Sequence, residues 1–545
     1  MTEPGKEFPA GLWRAISLEY FLNDHYDSLQ GSADINLSLH DVRGLLRETN
    51  KEPEEIGSHY SGTPLPGLMV IDCFSRRVVA AEPGCEYVAL SYVWGSIVSH
   101  CEDEGFEPDL HGRRLPQTIE DAMNVVRALG KRFLWVDRYC INSTEPGTKH
   151  FMISNMDAIY EAAYLTIIAA SGGDGEHGLP SVSGLCKALG EGNVPPWDGL
   201  VYTKLSHLCL DSYVRLGQIE TSVWSTRGWT YQEGLLSRRR LIFTDDWAIL
   251  QHRGEDRVRA SSGIFAHINE YTRRDLTYPS DSLNAFLGVL RAYERLRPAA
   301  MHVWGIPFLV GPDGAVRQPG YGLLWRANRG SSLHRIEGMP SWTWAGWTWS
   351  NHDVANRDFM SRQFPLGPYH WLVEKARLRG QTRSWPSWGP CDISLEVMVG
   401  SQLMDISNYL LKARRLASGR RVEPAPILYL TAWATTMTAY VSPTLPVYLQ
   451  CGDMRTSIIT LDQDVESLCA GKQQANGRWV CEWTAALLCW GQRFATQSLV
   501  LERVGEDTFR RIGVLETEWL RPEPDDDCSS SVLYRDFVRK RLCIV

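Results

Sequence analysis

The chain has 545 residues, of which 44 % are hydrophobic and 22 % charged, with 21 Trp, a composition that excludes a disordered chain and can furnish a large core. The 64 Asp and Glu outnumber the 56 Lys and Arg for a formal charge of -8, which argues against a protein that coats nucleic acid. The 13 cysteines form no C-x-x-C pair and no short-spaced Cys/His set, so neither a metal site nor a disulfide framework is expected, and a reducing, cytoplasmic setting follows.

Residues 1–80 contain the acidic, proline-bearing stretch KEPEEIGSHYSGTPLPG and read as a variable leader; no basic segment followed by an apolar run marks a secretory signal. From Tyr87 the pattern becomes regular. YVALSY predicts a buried strand ending at the turn signal Trp94-Gly95. Leu115-Pro116 opens a helix in which Ile119, Ala122, Met123 and Val126 recur at helical spacing, with Gly130 at the C-cap position. FLWV (133–136) predicts a second strand; Ile153, Met156, Ile159, Tyr160 and Ala163 form the stripe of another helix, and LTIIAA (165–170) is a third strand. Strand, helix, strand, helix, strand is the order of a parallel α/β sheet.

A loop-like segment over 185–213 precedes a helical stretch at 224–236 and the strand RRRLIFT. Beyond about residue 300 the apolar period shifts towards two, in runs such as IPFLV, ISLEVMVG, ILYLTAW and RRIGVLETEW, so the second half is expected to be mostly β. The tryptophans at 342, 344, 347 and 349 are expected to be core and edge aromatics of that region. Pro424–Gly452 carries no charge, but its apolar part, 427–441, falls short of the roughly 20 residues that span a bilayer, so no membrane span is expected. The expected division is a leader at 1–80, an α/β domain at 81–260 and a β-rich region at 261–545.

Ligands of doubly wound sheets bind where strands end at their carboxyl termini. Three polar clusters fall there: Ser91-Tyr92-x-Trp94-Gly95, Asp137-Arg138-Tyr139-Cys140-Ile141-Asn142 and Ser171-Gly172-Gly173-Asp174. Ser and Asp also cap turns, which is the alternative for each residue alone. Trp229 and Glu233 stand four apart, on one helix face, and a carboxylate beside an aromatic surface suits an oxocarbenium-like centre. Thr230 and Glu233 equally fit a capping box, which spacing alone favours. The glycine-rich SGGDGEHG lacks the spacing of a phosphate loop or dinucleotide fingerprint and reads as a turn. Arg238-Arg239-Arg240 reads as a solvated turn.

YVALSYVWGS, LPQTIEDAMNVVRALG, FLWVDRYCINS, MDAIYEAAYLTIIAASG and STRGWTYQEGLLSRRRLIF, in this order, resemble the heterokaryon incompatibility (HET) domain family of filamentous fungi. DLTYPSDSLNAFLGVL, YGLLW and PSWTWAGW resemble segments that often follow it. Family members act in non-self recognition, triggering growth arrest or programmed death when genetically different hyphae fuse. The domain is also similar to TIR domains, so the resemblance implies a flavodoxin/TIR-like parallel sheet in the N-terminal half, followed by the mostly β C-terminal region. It further implies Glu233 as catalytic residue of an NAD glycohydrolase, with Ser91, Tyr92, Trp94, Asp137 and Trp229 binding the nucleotide. NAD would be the substrate; no cofactor is required. The expected partners are further copies of the chain and an unidentified incompatibility protein. Departures are Ser143 where the family usually has Gln, and Glu145-Pro146 in place of Glu-Arg. Two alternatives stand beside the enzyme: a non-catalytic self-assembling signalling module, with Glu233 paired to Arg227 or Arg238, and an enzyme of specialised metabolism on the same scaffold.

Overall fold

The computed structural model describes residues 65–95, 108–142, 144–180, 182, 200–202, 217–245, 248–252 and 263–296, and, with short breaks, 299–349, 393–518 and 537–545. The described residues divide into two compact units, drawn from Met1–Arg259, Arg274–Leu276 and Asn284–Val289, and from Ala260–Arg273, Thr277–Leu283 and Leu290–Val545.

The first unit is built on an eight-stranded sheet of β1 (Met69–Asp72), β2 (Arg77–Ala80), β3 (Tyr87–Ser91), β4 (Phe133–Trp135), β5 (Leu165–Ala169), β6 (Leu200–Tyr202), β7 (Arg239–Phe243) and β8 (Ala248–His252). The spatial order is β2-β1-β4-β3-β5-β7-β8-β6. Strands β4, β3, β5 and β7 are mutually parallel. Counted alone in chain order they run 2-1-3-4, the flavodoxin-like arrangement, whose switch point lies between β3 and β5. Every residue of β3 and β5 is buried, as continuous apolar runs require when both faces of a parallel strand are covered. Antiparallel β1 and β8 flank this centre. β1 and β2, a hairpin ahead of Tyr87, contain residues read from sequence as leader.

The helix expected after Leu115 runs from Gln117 to Ala128, with Pro116 at its N-cap, and Gly130 adopts φ +70° just beyond its end. Its buried face includes Ile119, Ala122, Met123 and Val126. The single helix expected around Ile153–Ala163 is two, Pro146–Ser154 and Met156–Ala162. They break at Asn155, whose side-chain amide donates to the Phe151 carbonyl at 2.8 Å, a local bond that competes with helix propagation. The 224–236 stretch likewise divides into Val223–Thr226 and Thr230–Leu236. Gly228, between them, donates to the Asp275 carbonyl at 2.7 Å, and a Cβ there would lie 2.5 Å from Leu276. Most of the loop-like segment 185–213 lies outside the described residues; Leu200–Tyr202 is β6.

The second unit is mostly β. Leu428–Val441 pairs with Arg478–Trp490 on one side and Val538–Ile544 on the other. Arg478–Trp490 pairs with Ala495–Arg503, which pairs with Thr508–Glu518, and that strand meets Val538–Ile544 in parallel. Among the described residues these pairings close a five-stranded ring. The uncharged segment is thus largely a barrel strand, and among the described residues no helix is long and apolar enough to cross a membrane. Trp342, Trp344 and Trp347 are buried, as expected of core aromatics, whereas the Trp349 side chain lies outside the described residues. Trp347 Nε1 donates to the Ser341 carbonyl at 2.9 Å, and the Ser341 hydroxyl donates to the carbonyl of Val545. Arg511 is fully buried: its Nε lies 2.8 Å from Asp462 Oδ2, its Nη atoms donate to the Leu323 and Trp325 carbonyls, and its guanidinium sits 3.4 Å over the Trp325 ring.

Candidate functional site

Ser91 is the last residue of β3, at the carboxyl end of the strand beside the switch point. Its hydroxyl donates to Glu233 Oε2 at 2.5 Å. Glu233 lies in the helix Thr230–Leu236, whose buried face carries it against the sheet at 5 % exposure. Trp224 donates its indole N–H to Ser91 Oγ at 2.7 Å. Tyr160 donates to the Leu90 carbonyl at 3.1 Å, and its hydroxyl also faces Glu233. Burial is the main cause that pushes the Glu233 carboxyl up to about 8; the charge of Asp137 adds to it, while hydrogen bonds from Ser91 and Tyr160 and the charge of Arg227 oppose it.

A second cluster stands at the end of β4. The Trp94 indole lies 3.2 Å from both carboxylate oxygens of Asp137, and the Arg138 guanidinium is 5.6 Å from the centre of the Trp94 ring. Asp137 Oδ1 also accepts from the Arg138 backbone N–H at 2.7 Å. Desolvation raises the Asp137 carboxyl to about 6 against these bonds. The pair therefore has separated acidities: Asp137 ionises first, and its charge is one reason Glu233 holds its proton. Tyr92 is buried, its phenol raised well above its usual range mainly by desolvation, and its hydroxyl and the Ser171 hydroxyl have no hydrogen bond of ordinary geometry.

The loop after β5 closes over this edge. Gly172 takes φ +66° against the His177 ring, and Gly95 takes φ +85° against Asp174. The Gly175 carbonyl accepts from Thr118 N at 3.0 Å, Gly178 N donates to the Thr118 hydroxyl, and Leu179 N donates to Asp121. The glycine-rich run is thus a turn, as expected, tied to the start of the 117–128 helix.

Of the residues singled out from the sequence, Ser91 and Glu233 are in contact, and Trp94 and Asp137 form the adjoining pair. Tyr92 lies close enough to both Asp137 and Tyr160 to share their electrostatics. Trp229 is half-buried and packs on the main core of the unit, a cluster that includes Tyr92 and Tyr160, and its carbonyl accepts the Glu233 backbone N–H. The indole bonded to Ser91 is that of Trp224, which spacing did not indicate. The capping box is corrected too. The Thr230 hydroxyl donates to the carbonyls of Trp224 and Arg227, the helix has no side-chain cap, and Glu233 is engaged by Ser91. Nor is the arginine run a solvated turn: Arg239 and Arg240 begin β7, half-buried, and donate to the Tyr164 and Gly234 carbonyls. Among the described residues no group of three His, Cys, Asp or Glu could hold a metal ion.

A parallel core in flavodoxin order, with a buried acid at the carboxyl edge of its sheet, defines the class of this unit: a doubly wound α/β domain with a polar site at its switch point. Residues 87–233 match the family model of the heterokaryon incompatibility protein (HET), and this segment is a HET domain. The match begins with the first residue of β3 and ends on Glu233. No curated protein and no solved structure matches the chain.

Proposed function

We propose that this HET domain is the effector of a non-self recognition system, triggering growth arrest or cell death on fusion of genetically different hyphae, and that it acts by cleaving NAD. One observation carries the catalytic part: a carboxyl only 5 % exposed, bonded by Ser91 at 2.5 Å, at the strand ends where doubly wound sheets bind nucleotides. In the reaction the bond from ribose C1′ to the nicotinamide nitrogen breaks, and its electron pair leaves with nicotinamide. Water adds to the ribosyl cation, giving ADP-ribose and one proton. Ionised Glu233 would stabilise that cation, and its low-dielectric setting strengthens the interaction. The positive charge of the bound nicotinamide ring favours the ionised form and offsets the burial that keeps free Glu233 protonated. Trp94, 45 % exposed and braced by Asp137, offers an aromatic face for that cationic ring.

The test is nicotinamide release from NAD by the purified full chain, wild type against Glu233→Gln, at concentrations that permit self-association. Turnover in the wild type and its loss in the variant are expected, with kcat/KM rising with pH through about 8 as Glu233 ionises. Absence of turnover by the wild type would overturn the catalytic reading. The second reading is a non-catalytic self-assembling module. It predicts assembly and toxicity that survive Glu233→Gln.

A further inference from the structure

Trp224 stands outside every polar cluster that the sequence indicates. Its indole is held among Val93, Ile168, Ala170, Ile219 and Ile242, with its nitrogen 2.7 Å from Ser91 Oγ. An indole N–H only donates, and a serine hydroxyl has a single proton. The Ser91 oxygen therefore receives from Trp224 on one of its two lone pairs, and its proton points to Glu233 Oε2, 2.5 Å away. Tyr160 is not committed in this way. Its hydroxyl can donate to the Leu90 carbonyl while accepting from a protonated Glu233, or turn its proton to the carboxylate. With its proton on Glu233, Ser91 satisfies both neighbours at once; were it to accept from both, its own buried proton would give up that bond.

The residue that follows Glu233 supports the same arrangement. A Cβ at Gly234 would lie 2.7 Å from Trp224 Cη2 and 3.2 Å from Cζ2, so the indole rests directly on the helix that carries the acid. Glycine at 234 leaves the ring the position from which its N–H reaches Ser91.

We infer that Trp224 is a positioning residue of this site: by donating to Ser91 it occupies one lone pair, strengthens the hydroxyl as a donor to Glu233 Oε2 and leaves Oε1 as the oxygen that takes up and releases the proton. A strengthened donor favours the carboxylate over the acid. Without the indole N–H the hydroxyl is a weaker donor, and its proton can turn into the place the N–H leaves while its oxygen accepts from protonated Glu233, so the acid form gains. The other groups whose charge or hydrogen bonding bears on this carboxyl are Asp137, Tyr160 and Arg227, which the substitution leaves in place. The consequence for turnover rests on Glu233 being the reacting carboxylate; the consequence for its protonation does not.

The experiment is an infrared titration of the full chain carrying 13C-labelled glutamate, with the Glu233 carboxyl band assigned as the one lost in Glu233→Gln. In Trp224→Phe, which keeps a ring and removes the N–H, the midpoint is expected to rise by up to about one pH unit, the worth of a neutral hydrogen bond. Where NAD is cleaved, the same shift moves the pH profile of kcat/KM, which follows the ionised fraction of the free enzyme, and lowers kcat/KM at pH 7 by up to about tenfold. Should Trp224→Phe fail to fold, Ser91→Ala and Ser91→Thr decide: alanine raises the midpoint and threonine, which retains a hydroxyl, restores it. An unchanged midpoint in folded Trp224→Phe, or equal midpoints in the two Ser91 variants, overturns the inference. A wild type that releases no nicotinamide while its midpoint still responds to Trp224→Phe overturns only the NAD reading.

Discussion

Glu233→Gln is expected to stabilise the HET unit at neutral and alkaline pH. The Glu233 carboxyl ionises near 8 in the fold, against 4.5 as its ordinary value, chiefly because burial penalises its charge. The stability of a group whose folded pKa is raised is fully present below 4.5 and is lost as pH rises through about 8. Each unit of that window is worth about 1.4 kcal/mol, so at pH 7 the loss approaches ~3 kcal/mol, an upper value because water and side chains relax around a buried charge. Glutamine has the shape of the protonated acid, can accept the Ser91 hydrogen bond and never ionises, so it escapes the loss. The assay is amide hydrogen exchange by mass spectrometry on peptides covering β3 and β5, which reports opening of this unit by itself. At pH 5 the two proteins should exchange alike. At pH 7 to 8 the variant should exchange more slowly, by up to about 100-fold for ~3 kcal/mol. Equal or faster exchange in the variant at pH 8 would refute the view that a desolvated charge sits at Glu233.

Three further outcomes follow from the same structure. Asp137→Asn removes a charge that opposes ionisation of Glu233, so the Glu233 midpoint should fall from about 8, as read by infrared titration. Gly172→Ala forces φ +66° on a residue with a Cβ 2.2 Å from the His177 ring, and should lower stability by about 1–3 kcal/mol in denaturant unfolding. Asp462→Asn leaves the fully buried Arg511 without its counter-charge and should cost the second unit about 3–5 kcal/mol, seen as a lowered Tm.

Much of the parallel core was legible because its signals are local. The runs at Tyr87, Phe133, Leu165 and Arg239 became β3, β4, β5 and β7, and Pro116 and Gly130 bracket a helix almost as the caps require. What local signals could not supply were the edges and the breaks. β1 and β2 are four residues each, too short for a periodic pattern, and they exist as strands through pairing with β4 and with each other. The break at Gly228 depends on Asp275 and Leu276, nearly fifty positions away along the chain.

The site divides in the same way. That a serine, two acids and several aromatics stand at strand ends or on one helix could be read from the chain, because strand ends and helix faces are set by neighbours in sequence. Which of them meet could not. Ser91 and Glu233 are 142 positions apart and Ser91 and Trp224 are 133 apart, and their contacts exist because parallel strands bring distant carboxyl ends to one edge. Helical spacing put Trp229 near Glu233, but only packing brought the Trp224 N–H to Ser91. The acidity of Glu233 is a property of the fold alone, since the same carboxyl in an open chain is solvated, and only burial beside Asp137 makes its ionisation costly.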